Sequence, residues 1–184
     1  MRVTVVYRGS HAKTYAFSRT AVTTNVDAFK DLKGLQSVRL NDGLEKLEIG
    51  CFSGTGIRQL VIPSSVRNIE FKVFESCKCL RRITFAGAGL ETIAHEAFAE
   101  SGLEAFVAPA TLRRIGDHAF VLCKRLKHVD LGACAAQSWG EYDFLTGDIF
   151  KDSGLESIVL PRTLKIIGEG KFAGCKSLKS VTFG

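Results

Sequence analysis

Six cysteines and four histidines are the side chains of this 184-residue sequence best suited to bind metal or attack a substrate. Cys77 and Cys79 form a Cys-x-Cys pair, which could begin a zinc site. Zinc wants four ligands in a tetrahedron, and neither a second cysteine pair nor a histidine follows at the usual spacing. His11, His95, His118 and His128 share no helix face and no short interval. Gly54-Thr55-Gly56 lacks the strand-to-helix glycine pattern that cradles phosphate. No Ser/His/Asp order and no pair of carboxylates on a shared loop emerges either. The sequence therefore points to a non-enzymatic chain with no catalytic residue, no metal and no cofactor.

Charge has to be read by position before it is read as a total. The net charge is +6, the apolar fraction 46% and the charged fraction 24%, which are the proportions of a soluble globular protein. No run approaches the ~18 apolar residues of a membrane span, and the N-terminus lacks the unbroken apolar stretch of a secretory signal. One recurring position reads Gln36, Arg58, Arg81, Glu104, Lys127, Glu156, Lys179, alternating in sign from Arg81 onward. On neighbouring strands such charges sit side by side and pair. A second row, Lys33, Lys78, Lys124 and Lys176, has no such partner in the pattern and could meet an acidic partner or phosphates. The plainer reading is a solvated edge, and the absence of interleaved aromatic residues argues against nucleic acid.

The elements that place these residues follow from a repeat. Phenylalanine recurs at Phe29, Phe52, Phe74, Phe98, Phe120, Phe150 and Phe172, at intervals of 23, 22, 24, 22, 30 and 22. An apolar pair precedes each of the six from Phe52 onward by eight and five residues, as in Val66 and Ile69 or Leu112 and Ile115. A leucine-x-x-apolar-x-apolar run follows, as in Leu80, Ile83, Phe85 or Leu155, Ile158, Leu160. The alternation at the end of that run predicts a short strand. Segments such as 116–120 are expected to form a helical or 3₁₀ turn on the opposite side. The expected fold class is an α/β repeat solenoid with repeats of about 22–24 residues, a parallel β-sheet on one face and short helical turns opposite. Residues 1–20 are expected to form a hairpin or irregular cap, and residues 21–184 about seven repeats.

The repeats alternate in kind. Odd units read Phe-x-x-Cys-Lys-x-Leu, at Phe74, Phe120 and Phe172; even units read Phe-x-x-Ser/Thr-Gly-Leu/Ile, with proline after the strand at Pro63, Pro109 and Pro161. Cys77, Cys123 and Cys175 occupy one slot, filled elsewhere by Leu32, Thr55, Ser101 and Ser153, and read as small buried fillers. Cys51, Cys79 and Cys134 lie off that slot, so a reactive thiol is expected among them. The run Leu-x-x-Ile-x-x-x-Ala-Phe-x-x-Cys-x-x-Leu-x-x-Val from Leu112 to Val129 resembles the Treponema-type, BspA-like leucine-rich repeats. The resemblance covers roughly residues 21–184 and implies a curved solenoid. It also implies surface molecules that bind host or neighbouring cells, without naming a ligand.

Alternation assigns the outward positions of each strand, on what the resemblance makes a concave sheet face. Arg39, Val61, Arg82, Thr84, Val107, His128, Asp130, Val159 and Thr182 are the partner-binding candidates there. Trp139, the only tryptophan, joins them from an insertion at 132–141, because repeat insertions map to one face. The competing reading folds Trp139 back over the core edge. The functional expectation is a protein-binding module for adhesion or surface recognition; the alternatives are an intracellular scaffold fragment and an enzyme with a nonstandard site. A strand ending at Phe183-Gly184 without a polar cap leaves an end open to self-association. Equivalent slots two repeats apart lie ~10 Å from each other, beyond the ~7 Å Cα limit of a disulfide. Mass mapping under nonreducing conditions should accordingly find no bridge among Cys77, Cys123 and Cys175, and one such bridge would overturn the repeat register.

Overall fold

The computed structural model describes residues 2–7, 13–16, 23–134, 148–165, 167 and 170–184. In chain order the strands are β1 (Arg2–Tyr7), β2 (Lys13–Ala16), β3 (Leu35–Val38), β4 (Lys46–Leu47), β5 (Gln59–Ile62), β6 (Asn68–Ile69) and β7 (Arg82–Phe85). They continue as β8 (Thr92–Ile93), β9 (Ala105–Val107), β10 (Arg114–Ile115), β11 (His128–Asp130), β12 (Ser157–Leu160) and β13 (Ser180–Phe183). From β3 to β10 the repeats alternate a longer strand with a two-residue strand. The two-residue strands β4, β6, β8 and β10 form a parallel ladder in sequence order. The longer strands pair in parallel as β5 with β7, and as β9, β11, β12 and β13. At the other end β1 pairs antiparallel with both β2 and β3.

The apolar positions of the repeat explain why the chain coils this way. The rings of Phe52, Phe74, Phe98, Phe120 and Phe150 are fully buried and stack face to face, with centroids 5.2 to 5.7 Å apart from one repeat to the next. Around them lie the inward residues of both strand sets, among them Leu60, Ile69, Ile93, Phe106, Ile115 and Val129. No single repeat can enclose its own phenylalanine. Stacking supplies the missing wall, so burial couples neighbours rather than residues within a unit.

The helical turns expected opposite the sheet are not formed: among the described residues there is no α-helix or 3₁₀ helix. The reason lies in the backbone around each phenylalanine. The residues two before and two after it take left-handed conformations, as at Lys72 and Ser76 (φ 59° and 54°), Glu96 and Glu100, His118 and Leu122. Gly50 and Gly54 take the same conformation beside Phe52. An α-helix cannot include such residues, each of which costs ~1–2 kcal/mol there. In exchange, alternate N–H groups point sideways into the next repeat. Phe52 donates to Val73 (3.1 Å), Phe74 to Ala97 (2.7 Å) and Phe98 to Ala119 (2.9 Å), while intervening residues close tight turns onto carbonyls three back. The segment is a third hydrogen-bonded seam along the stack.

The two-repeat unit also has a physical basis. Cys77 Sγ donates to the Phe52 carbonyl at 3.0 Å and lies 3.4 Å from Thr55 Oγ1. Cys123 meets the Phe98 carbonyl and Ser101 in the same way, and Cys175 meets the Phe150 carbonyl and Ser153. A hydroxyl in one repeat thus faces a thiol in the next, and none of the six cysteines is bridged. Glycine is needed in the even repeats because the preceding odd repeat crowds it. A Cβ at Gly56, Gly102 or Gly154 would run into the carbonyl oxygen of Lys33, Lys78 or Lys124.

Phe120 is the clearest probe of this arrangement, since its ring touches Phe98, Phe106 and Phe150 at 5.2, 5.0 and 5.4 Å. Phe120→Ala should lower unfolding stability by about 3–5 kcal/mol in urea titration. A loss below about 1 kcal/mol would mean that the ring is not part of a continuous core.

Candidate functional site

From β3 to β12 the inward positions of the long strands pack on the core, so the side chains left to meet a ligand are the outward ones. On the long strands burial alternates residue by residue: in β5, Leu60 and Ile62 are buried while Gln59 and Val61 are exposed. Arg39, Arg82, Thr84, Ala105, Val107, His128 and Asp130 are exposed on the same face. Val61 and Val107 stand out as large apolar residues 57% and 62% exposed, beside the buried Leu60 and Ile62 of β5 and Phe106 of β9.

Two grooves cross this face. The first, about 620 Å³, is lined by Arg39, Asp42, Gln59, Val61, Pro63 and Arg82, among others. The second, about 520 Å³, includes Thr84, Phe85, Ala105, Val107 and Pro109. Arg82 and Thr84 line both, so the grooves form one surface running from β3 to β9. They lie where the ladder of longer strands is interrupted, between β3 and β5 and between β7 and β9. At both gaps a bond joins the strand entries, Arg58 N–H to the Gln36 carbonyl and Glu104 N–H to that of Arg81, each 3.2 Å.

Toward the other end the face changes. His128 Nδ1 lies 2.8 Å from Ser157 Oγ, and Asp130 Oδ1 accepts from the Gly132 N–H at 2.9 Å. Val159 is half-buried rather than freely exposed, because Gly132 lies against it: a Cβ there would come within 2.9 Å of Val159 Cγ1. Thr182 on β13 is exposed, as are Val181 and Phe183. Trp139 lies outside the described residues, as does the insertion from 135 to 141.

Electrostatics of the flanks is largely self-contained. Arg81 pairs with Glu104 at 3.4 Å, and Glu156 bridges Lys127 and Lys179 at 3.1 and 3.6 Å. The hydrogen-bonded Lys127 ammonium holds the Glu156 carboxyl below its ordinary range. The expected row of unpaired lysines needs correction. Lys78 Nζ lies 2.6 Å from Glu100 Oε2, and Lys124 Nζ donates to the Asp152 carbonyl. Their glutamate and carbonyl partners sit in the next repeat, a spacing the lysine row alone does not reveal.

The structure also joins residues that looked unrelated in sequence. His95 and His118 meet edge to face at 5.3 Å, and His95 stacks on Phe71. Their separation of 23 residues is one repeat. Among the described residues no group of three or more His, Cys, Asp or Glu is arranged to hold a metal. Cys77 is buried and Cys79 exposed, so the Cys-x-Cys pair does not converge on one point.

Residues 5–127 and 145–184 match the BspA type leucine-rich repeat region, in six copies. The chain belongs to this family. Its repeats superpose on a leucine-rich repeat protein of Bacteroides ovatus ATCC 8483, with 26% identity and a TM-score of 0.75 over 96% of this chain and 44% of that one. They also superpose on the T. pallidum leucine-rich repeat protein TpLRR, at 23% identity and TM-score 0.62, over 88% of this chain and 62% of that one. The pneumococcal vaccine antigen PcpA gives 24% identity and TM-score 0.51, over 76% and 42%. The chain thus spans less than half of the Bacteroides protein. No curated protein sequence matches it. No helix among the described residues is long and apolar enough to cross a membrane.

In these BspA type repeats the thiols divide by position. Burial pushes the Cys51 thiol up to about 12, and the Cys77 and Cys123 thiols to about 11, whereas Cys79 is exposed. Alkylation of the native protein at about pH 8 should label Cys79 rapidly and leave Cys51, Cys77 and Cys123 protected until unfolding. Above their ordinary value of 9.0 the unfolded chain releases protons that the folded one retains. Stability should therefore be full below about pH 9 and fall as pH rises toward 11–12. Equal labelling of all these thiols in the native state would contradict their burial.

Proposed function

We propose that the chain is a non-catalytic recognition module that holds a protein ligand across the long-strand face, in adhesion or surface recognition. The observation that carries this reading is the pair of exposed valines, Val61 and Val107, set in grooves that share Arg82 and Thr84. The valines stand in alternate repeats with Thr84 between them, so the grooves join into one extended surface of mixed apolar and polar character, of the kind that solenoids present to protein ligands. Membership of a repeat family supports the same role, since stacked repeats offer one extended surface. Adhesion is the finer part of the proposal and rests on the family resemblance. The insertion carrying Trp139 belongs to it as a second contact.

Immobilised protein exposed to surface-protein extracts of host and of bacterial cells tests the reading. Partners retained by the wild type and by Lys33→Glu/Lys176→Glu should be lost with Val61→Gln/Val107→Gln, whose melting temperature should match the wild type. If the glutamine variant keeps every partner, the long-strand face is not the binding surface. Loss confined to the lysine variant, with affinity falling steeply in salt, would move the site to the lysine edge.

A further inference from the structure

We infer that the ligand of the groove face is an acidic amphipathic α-helix of the partner protein, laid across strands β3, β5, β7 and β9 with one helical turn over each repeat. The inference deepens the proposed function and rests on its assignment of the binding face. Its first support is a match of periods. From Phe29 to Phe120 the stacked rings lie 5.2 to 5.7 Å apart, and parallel strands are spaced ~4.8 Å apart. An α-helix climbs ~5.4 Å per turn, inside that range. It can therefore bring a side chain at i, i+4, i+7 and i+11 to four successive repeats with a drift of no more than about 2 Å from β3 to β9, even at the strand spacing.

Other backbone conformations fall out of step. An extended segment presents its same-side residues every ~6.6 Å and at the strand spacing drifts by about 5 Å between β3 and β9. A polyproline II segment repeats every ~9.3 Å, so one of its faces meets only alternate repeats. The outward row here reads Arg39, Val61, Thr84, Val107, with a different chemistry in each repeat. A ligand that touches alternate repeats reads either the valines or the polar residues. A helix ~10 Å wide reads both, and also spans the neighbouring outward row ~6.6 Å away that contains Arg82.

Charge selects an acidic helix. Arg39 and Arg82 are exposed in the first groove, and neither forms an ion pair among the described residues. Arg81 is engaged instead, with Glu104 and with the carbonyls of Lys78 and Gly102. Asp42 is the only carboxylate lining either groove among the described residues, and it belongs to the segment after β3, at the groove's rim. Two guanidinium groups against one carboxylate leave the groove positive. Each Arg fork can take a carboxylate through two parallel hydrogen bonds. Arg39 and Arg82 then receive acidic residues near i and i+7, while Val61 and Val107 receive apolar ones at i+4 and i+11, the anchor pattern of a helix seated in a groove.

A displayed library of ~18-residue alanine-based helices, randomised at i, i+4, i+7 and i+11, is the probe, with selection on the intact chain. Enrichment should place Asp or Glu at i and i+7 and Val, Ile, Leu or Phe at i+4 and i+11. A selected peptide should bind Arg39→Glu/Arg82→Glu at least tenfold more weakly than wild type, with the melting temperature of that variant unchanged. The same peptide with a central proline should also lose at least tenfold. Enrichment of Lys or Arg, no positional preference, undiminished binding to the arginine variant, or full binding by the proline peptide would each overturn the inference. If it is overturned while Val61→Gln/Val107→Gln still loses its extract partners, the binding face stands and only its acidic helical ligand falls. If those partners persist as well, both readings fall.

Discussion

The structure depends on the sideways hydrogen bond that each repeat phenylalanine from Phe29 to Phe150 donates from its N–H to the next repeat. It forms only because the residues two before and two after that phenylalanine sit in the left-handed region, which turns alternate peptide groups out of the repeat and along the stack. The cost of those conformations is repaid by neighbours, so a repeat is stable only in the presence of the next one. Ring stacking, the two-residue ladder and the longer strands all run along the same axis. Cohesion is therefore directed along the stack, leaving the lateral faces free to vary.

That freedom explains why the repeats can alternate without losing register. A cysteine in one unit is matched by a hydroxyl in its neighbour, and the lysine carbonyl of an odd unit needs the missing Cβ of an even one. Core chemistry thus imposes a period of two repeats. The outward face inherits it, with valine at 61 and 107 and polar residues at 39 and 84. The grooves sit beside interruptions of the longer-strand ladder.

Much of this was legible in the sequence because burial leaves a period. The phenylalanine spacing, the strand alternation, the filler role of Cys77 and Cys123, and the Arg81–Glu104 pairing can all be read from residue types at fixed intervals. What was not legible depends on backbone dihedrals or on long side chains reaching across repeats. Lys72, His118 and Leu122 carry no sign in their side chains that they will turn left-handed, so a helical turn was the natural expectation. Lys78 looked unpaired because Glu100 occupies a different position of its own repeat. The grooves escaped notice because interruptions in a ladder have no residue signature beyond the nearby Pro63 and Pro109.

The long interval between Phe120 and Phe150 shows how little the stack asks of its connections. Thirty residues separate the two rings where 22 separate Phe98 from Phe120, yet the rings are 5.4 Å apart and the Phe120 N–H still reaches Ile149 at 2.9 Å. Strands β11 and β12 on either side pair in register, His128 with Ser157 and Val129 with Ile158. Closing a longer loop costs only a slowly growing entropy, while losing one seam would cost hydrogen bonds and a buried ring together. The described seams on either side of this interval therefore keep their register whatever the length of chain between them.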